Sequence, residues 1–169
     1  LSSRPVNGVS IAGVTFSYTI NGQASTQATY GGTIPGSTAN VQSPALVGST
    51  QGVLTLNFAG ATNGLSFGIA FNSFNTLNPG LTVQLFDGTL NPLGSSVNIT
   101  TLASNTFTGA LVSFSNASIG RVVLTFNQNV STFALDNLSF NAVPEPAALV
   151  LLGSGLAVIA ALTRQRKKK

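Results

Sequence analysis

The chain has no cysteine, histidine, methionine or tryptophan among its 169 residues, and only 6% of them carry charge. Without His and Cys the usual zinc, haem and iron-sulfur ligand sets are missing, together with Ser-His and Cys-His nucleophile pairs and the commonest general base. Most familiar catalytic chemistry is excluded on those grounds. The lack of Cys also rules out a disulfide framework and leaves the redox compartment open. With Trp absent, Tyr18 and Tyr30 are the only amphipathic rings left to serve as a flat platform for a sugar.

Charge is unevenly placed as well as scarce. Residues 1–142 set Arg4 and Arg121 against Asp87 and Asp136 and have no formal net charge, so the +4 of the whole chain belongs to its end. There, Arg164, Arg166, Lys167, Lys168 and Lys169 outweigh Glu145. A domain so poor in cations has no basic stripe with which to neutralise phosphates, which excludes nucleic acid as a partner.

Serine, threonine, asparagine and glutamine make the wet surface instead, and they alternate with apolar residues. The beat is clear in Val14, Phe16, Tyr18 and Ile20, in Leu65, Phe67, Ile69 and Phe71, and in Val122, Leu124 and Phe126. It recurs around Leu54–Phe58, Leu81–Leu85, Val112–Phe114 and Leu138–Phe140. Alternation at this period marks strands with one buried and one wet face. Between the runs stand turn formers: Asn21-Gly22, Asn63-Gly64 and Asp87-Gly88 suit positive φ, while Pro35-Gly36 and Asn78-Pro79-Gly80 suit type I or II turns. The pattern predicts a mainly β, antiparallel β-sandwich or jelly-roll-like domain over residues 1–142. Gln23–Gln51, poor in large apolar residues, reads as long loops with one short strand at most.

The pattern ends at Val143. Pro144, Glu145 and Pro146 break any strand, and Ala147–Leu162 carries no charge. As a helix those residues would extend roughly 24 Å against a bilayer core of about 30 Å, and Thr163, a snorkelling Arg164 and local thinning make up the difference. One transmembrane helix is predicted over 147–163, with a buried core helix as the alternative. The basic tail 164–169 acts as a membrane stop that stays cytoplasmic beside anionic lipid, which puts residues 1–142 on the far side.

Val143-Pro144-Glu145-Pro146, the apolar run through Leu151-Leu152-Gly153-Ser154-Gly155-Leu156 and the basic terminus closely resemble, in that order, the PEP-CTERM sorting signal of Gram-negative bacteria. The resemblance implies that residues 143–169 hold an exported protein at the inner membrane until an exosortase processes it near Pro144–Pro146. It also implies release to the cell surface or exterior, in bacteria that make exopolysaccharide and biofilm. Phe133–Phe140 is similar to the closing strand that such proteins place before the signal, in jelly-roll-like domains resembling carbohydrate-binding modules. The N-terminal secretion signal of that family is not seen. Leu1 is no initiator and residues 1–20 lack a basic and then apolar leader, so the chain is expected to be trimmed or incomplete at its start.

Chemistry in the domain rests on few groups. A glycosidase would need Asp87 and Asp136 in one cleft about 5 to 9.5 Å apart. Asp87, in an Asp-Gly turn, is expected to bond nearby backbone amides. Asp136 lies inside a strand, where a carboxylate needs partners. The candidates are Arg121, the amides of an adjacent loop, or a calcium ion completed by Asn137 and backbone carbonyls. Tyr30 is the one tyrosine expected outside the core, either anchoring its loop or offering a ring to a glycan; most of the eleven Phe residues fall on the alternating apolar faces. The expected product is a non-enzymatic surface or matrix protein, without a cofactor unless calcium binds. Its expected partners are the exosortase, inner-membrane lipid, and extracellular polysaccharide or a second copy of itself. A carbohydrate-binding module or a permanently anchored periplasmic domain are the alternatives.

Overall fold

The computed structural model describes residues 3–34, 38–105 and 107–142. Within them the chain forms β1 (Arg4–Pro5), β2 (Ser10–Ile11), β3 (Val14–Ile20), β4 (Gln23–Ala24), β5 (Ala28–Gly32) and β6 (Ala45–Ser49). These are followed by β7 (Val53–Phe71), β8 (Leu77–Phe86), β9 (Val97–Thr101), β10 (Thr108–Phe126) and β11 (Thr132–Ala142). No helix occurs among the described residues, and none there is long and apolar enough to cross a membrane. The transmembrane helix expected over 147–163 lies outside them.

All pairings are antiparallel, and two strands organise the rest. β7 and β10 run 19 residues each, more than a twisted strand normally keeps in one layer. Their mutual register breaks between Ser115 and Arg121, and there each passes from one layer into the other. The first layer joins β9, β8, the C-terminal half of β10, the N-terminal half of β7, and β3 flanked by the short β2 and β4. The second joins the N-terminal half of β10, the C-terminal half of β7, β11, β6, β5 and β1.

The alternating apolar residues meet between the layers. Phe126 stacks on Phe133 with ring centroids 3.8 Å apart, Phe71 meets Phe126 edge-on, and Tyr18 lies 6.3 Å from Phe133. Tyr18 is fully buried and donates its hydroxyl to the Ser49 carbonyl; burial raises the phenol's pKa despite that bond. A smaller apolar cluster of Ile34, Val41, Ala45, Ala70 and Ala134 lies apart from this core, and the loop after β5 supplies its first two members.

Several local expectations change. Gln23–Gln51 holds three strands rather than one at most. Its residues are small because their neighbours are large: a Cβ on Gly48 would meet the Phe133 ring at 2.7 Å, and Ala28 is fully buried. Asn63-Gly64 and Asn78-Pro79-Gly80 are not turns but lie within β7 and β8, the first beside the bend and the second where β8 slips register against β9. After Asp87 the positive φ falls on Leu90 (69°) rather than on Gly88. Asn21-Gly22 does form the β3–β4 turn, with φ of 52° and 76°, the values a type I′ hairpin needs. Pro35-Gly36 lies outside the described residues.

Candidate functional site

Tyr30 stands near one end of a row that crosses the second layer, between Arg4 on β1 and Leu46 on β6. It pairs with Leu46, which pairs with Leu135, which pairs with Ile69. The last three are buried, whereas Tyr30, next to the edge strand β1, is 49% exposed. It therefore stands in a strand with its ring half out of the core, not in the loop expected from the sequence. Its ring helps line an open cavity of about 290 Å³ whose wall also includes Ile11, Phe16, Leu135, Asp136 and Asn137. Tyr30, Asp136 and Asn137, the three domain residues singled out in the sequence, thus border one cavity.

The side-chain bonds of the two β11 residues lead elsewhere. Asp136 pairs with Gly68 on β7, where a Cβ would collide with the carbonyl of Asn40, so the loop around residues 38–42 lies directly on that glycine. Asp136 Oδ2 accepts from the Gln42 amide at 3.1 Å, and Asn137 Nδ2 donates to the Asn40 carbonyl at 3.1 Å. A bulge between Asp136 and Ser139 re-aims the strand, with Asn137 at φ 54°. Asn can hold that left-handed conformation where most residues are strained. The pair latches the loop and borders the cavity at once. Arg121, weighed as a partner for Asp136, instead donates from Nε to Asn57 Oδ1 at 2.6 Å.

Asp87 is enclosed by its own turn. Its Oδ1 accepts from the Thr89 amide, the Thr89 hydroxyl and the Asn91 amide at 2.8–2.9 Å, and Oδ2 accepts from Asn91 Nδ2 at 3.2 Å. Led by the Asn91 amide and the Thr89 hydroxyl, these bonds push the carboxyl down to about 2. Asp87 takes no part in the Tyr30 cavity. Among the described residues no group of three or more carboxylates is placed to hold a metal ion.

An aromatic pair with one exposed ring escapes the alternation argument. Phe74, 66% exposed, stacks on Phe107 with centroids 5.7 Å apart and planes within 19° of parallel. The loops that carry them are tied by the Thr108 amide on the Ser73 carbonyl and the Ala103 amide on Thr76 Oγ1. The available signal was negative: neither Phe sits on an apolar beat, and Asn72-Ser73-Phe74-Asn75 reads as a loop.

The sorting residues Pro144, Glu145 and Pro146 and the membrane stop Arg164, Arg166, Lys167, Lys168 and Lys169 lie outside the described residues. Residues 142–167 match the family model of the PEP-CTERM protein-sorting motif, which begins at the last residue of β11. No curated protein matches the chain. Among solved structures, it is similar to the enzymatically active domain of bacteriophage CBA120 tailspike protein 4, at 18% identity and a TM-score of 0.42. That match covers 82% of this chain and 22% of the phage chain, so the chain spans about a fifth of that protein's length. A mutant of a family 29 carbohydrate-binding module shows 11% identity and a TM-score of 0.43 over 81% of this chain and 88% of its own. The C-terminal family 22 carbohydrate-binding module of Clostridium thermocellum Xyn10B shows 15% identity and a TM-score of 0.43 over 85% and 94%. At such scores the likenesses assign neither ligand nor activity.

Proposed function

We propose that the chain is an exported, non-enzymatic surface or matrix protein, held at the inner membrane by residues 143–169 until an exosortase processes it near Pro144–Pro146. The observation that carries the reading is the sorting motif over 142–167, which begins at the residue where β11 ends. Cleavage within 143–146 would release the sandwich with its closing strand whole. The non-enzymatic part is supported by the carboxylates: Asp87 is saturated by its own turn and held ionised, which unfits it as a general acid, and Asp136 is tied to a loop. We place the released domain in the exopolysaccharide matrix.

The intact mass and C-terminal peptide of protein recovered from outside its native host test this reading. A terminus within 143–146 is the expected result. Recovery only from membranes with Lys169 attached would overturn it and leave a permanently anchored periplasmic domain.

A second reading, carbohydrate binding, is supported by the half-exposed Tyr30 ring at the mouth of the cavity. A sugar face could stack on that ring, while the Asp136 and Asn137 side chains bond the 38–42 loop on the other face of the layer. Calcium on the free oxygen of Asp136 would have a single carboxylate and be weakly held. Tyr30→Ala should abolish retention on a host exopolysaccharide column while the thermal midpoint holds; unchanged retention would remove the cavity from consideration.

A further inference from the structure

The two margins of the second layer are treated differently by the sequence. One ends in β1, whose two residues are Arg4 and Pro5, a charge and an imide that both discourage a further strand. The other margin is the N-terminal half of β10, Thr108–Ser115, paired to β7 without a register break. It contains neither Pro nor charge, and residues 88–120 around it are uncharged throughout.

Its hydrogen-bonding direction follows from one residue. The amide and carbonyl of Gly109 both bond Leu102, at 3.1 and 3.0 Å, on the side away from β7. In an antiparallel strand alternate residues point their backbone groups the same way, so Leu111, Ser113 and Ser115 aim theirs outward too. Beyond Gly109 that side has no partner among the described residues until β8 joins at Arg121. Three N–H and three C=O groups are left along this run, with the 63% exposed Leu111 side chain beside them. Natural sandwiches guard such an edge with charge, proline, a bulge or a very short strand. Here the bulge begins only after Ser115.

We propose that this edge is the contact for a second copy of the same chain, paired antiparallel about a two-fold axis at Ser113. Leu111 then faces Ser115 of the other copy, Ser113 faces its own twin, and all six outward groups find partners in one continuous sheet. The neutral edge meets itself without like-charge cost. A different chain would need its own unguarded strand, whereas a second copy supplies one by symmetry.

Substitution at the axis tests the register. Ser113→Lys and Ser113→Glu each place like charges face to face in the two-fold pair, and an equal mixture of the two places opposite charges there. By sedimentation of the 169-residue chain in mild detergent, the unsubstituted protein should dimerise. Each variant alone should self-associate about tenfold or more weakly, and the mixture should recover the dimer. Recovery in the mixture also shows that both variants fold. A monomeric parent, variants that dimerise as the parent does, or a mixture no better than its components would each overturn the proposal.

Discussion

Gly68 decides whether the outer face of the second layer can be covered. The loop holding Asn40 and Gln42 rests where a Cβ would stand, and both its bonds to β11 depend on that approach. Gly68→Ala must lift the loop or distort β7, leaving the Gln42 amide and the Asn40 carbonyl to find water. A loss of about 2–4 kcal/mol is expected, read from the urea midpoint; an unchanged midpoint would mean that the loop shifts freely. Asp87 is a different kind of residue, exposed and local. Its carboxyl lies at about 2 against an ordinary 3.8, so its contribution is complete above the unfolded value and disappears as pH falls through the folded one. Acid titration of the wild type and of Asp87→Asn should therefore show a small difference at neutral pH that closes as pH approaches 2. A gap that stayed constant would mean that the turn's bonds do not respond to ionisation.

Among the elements, the bend in β7 joins the layers to the end of the domain. Thr62 is fully buried there, with its hydroxyl 2.6 Å from the Asn141 carbonyl and 2.7 Å from that of Gly64. Asn141 is the second-last residue of β11, next to the sorting motif. Thr62→Val keeps the shape and removes the donor, which should cost about 1–3 kcal/mol and speed amide exchange at the end of β11; protection equal to wild type would show that pairing to β7 alone suffices. This bend also marks where the sequence could be read and where it could not. Alternation locates β3 at its observed bounds because Val14, Phe16 and Tyr18 on one face are buried and Ile20 packs partly against the same core. It split β7 and β10 in two, because residues at the bend leave the beat while the backbone continues as strand. β5 and β6 escape it for a related reason: Ala28 and Gly48 are small where Phe133 fits in, Ala45 packs in the separate cluster with Ile34 and Val41, and the bulk around Gly48 comes from distant sequence. Of the site, Asp136 stood out as a carboxylate inside a strand, and an adjacent-loop amide was among its foreseen partners. Which amide, and that Tyr30 would border the same cavity, depends on pairings between strands far apart in the chain. The Phe74–Phe107 pair needed two loops to meet, which no local pattern records.

For the whole molecule, the distribution of charge links processing to association. All of the net charge lies beyond Ala142, while the sandwich balances Arg4 and Arg121 against Asp87 and Asp136. Cleavage within 143–146 therefore converts a chain of formal charge +4 into a domain near zero. At neutral pH and low salt the full chain should be retained on a cation exchanger, and the processed domain should flow through. Equal retention would require a basic patch that two arginines on separate strands do not supply. The same change bears on the open β10 edge. Net charge keeps copies of a protein apart over roughly a Debye length, about 8 Å at physiological salt. Once the tail is gone no such repulsion opposes edge pairing, and what remains is short-range backbone bonding and apolar contact. Association of the released domain should accordingly be almost indifferent to added salt. A dimer that dissolved steeply with ionic strength would point to ion pairs, and the neutral β10 edge has none to offer.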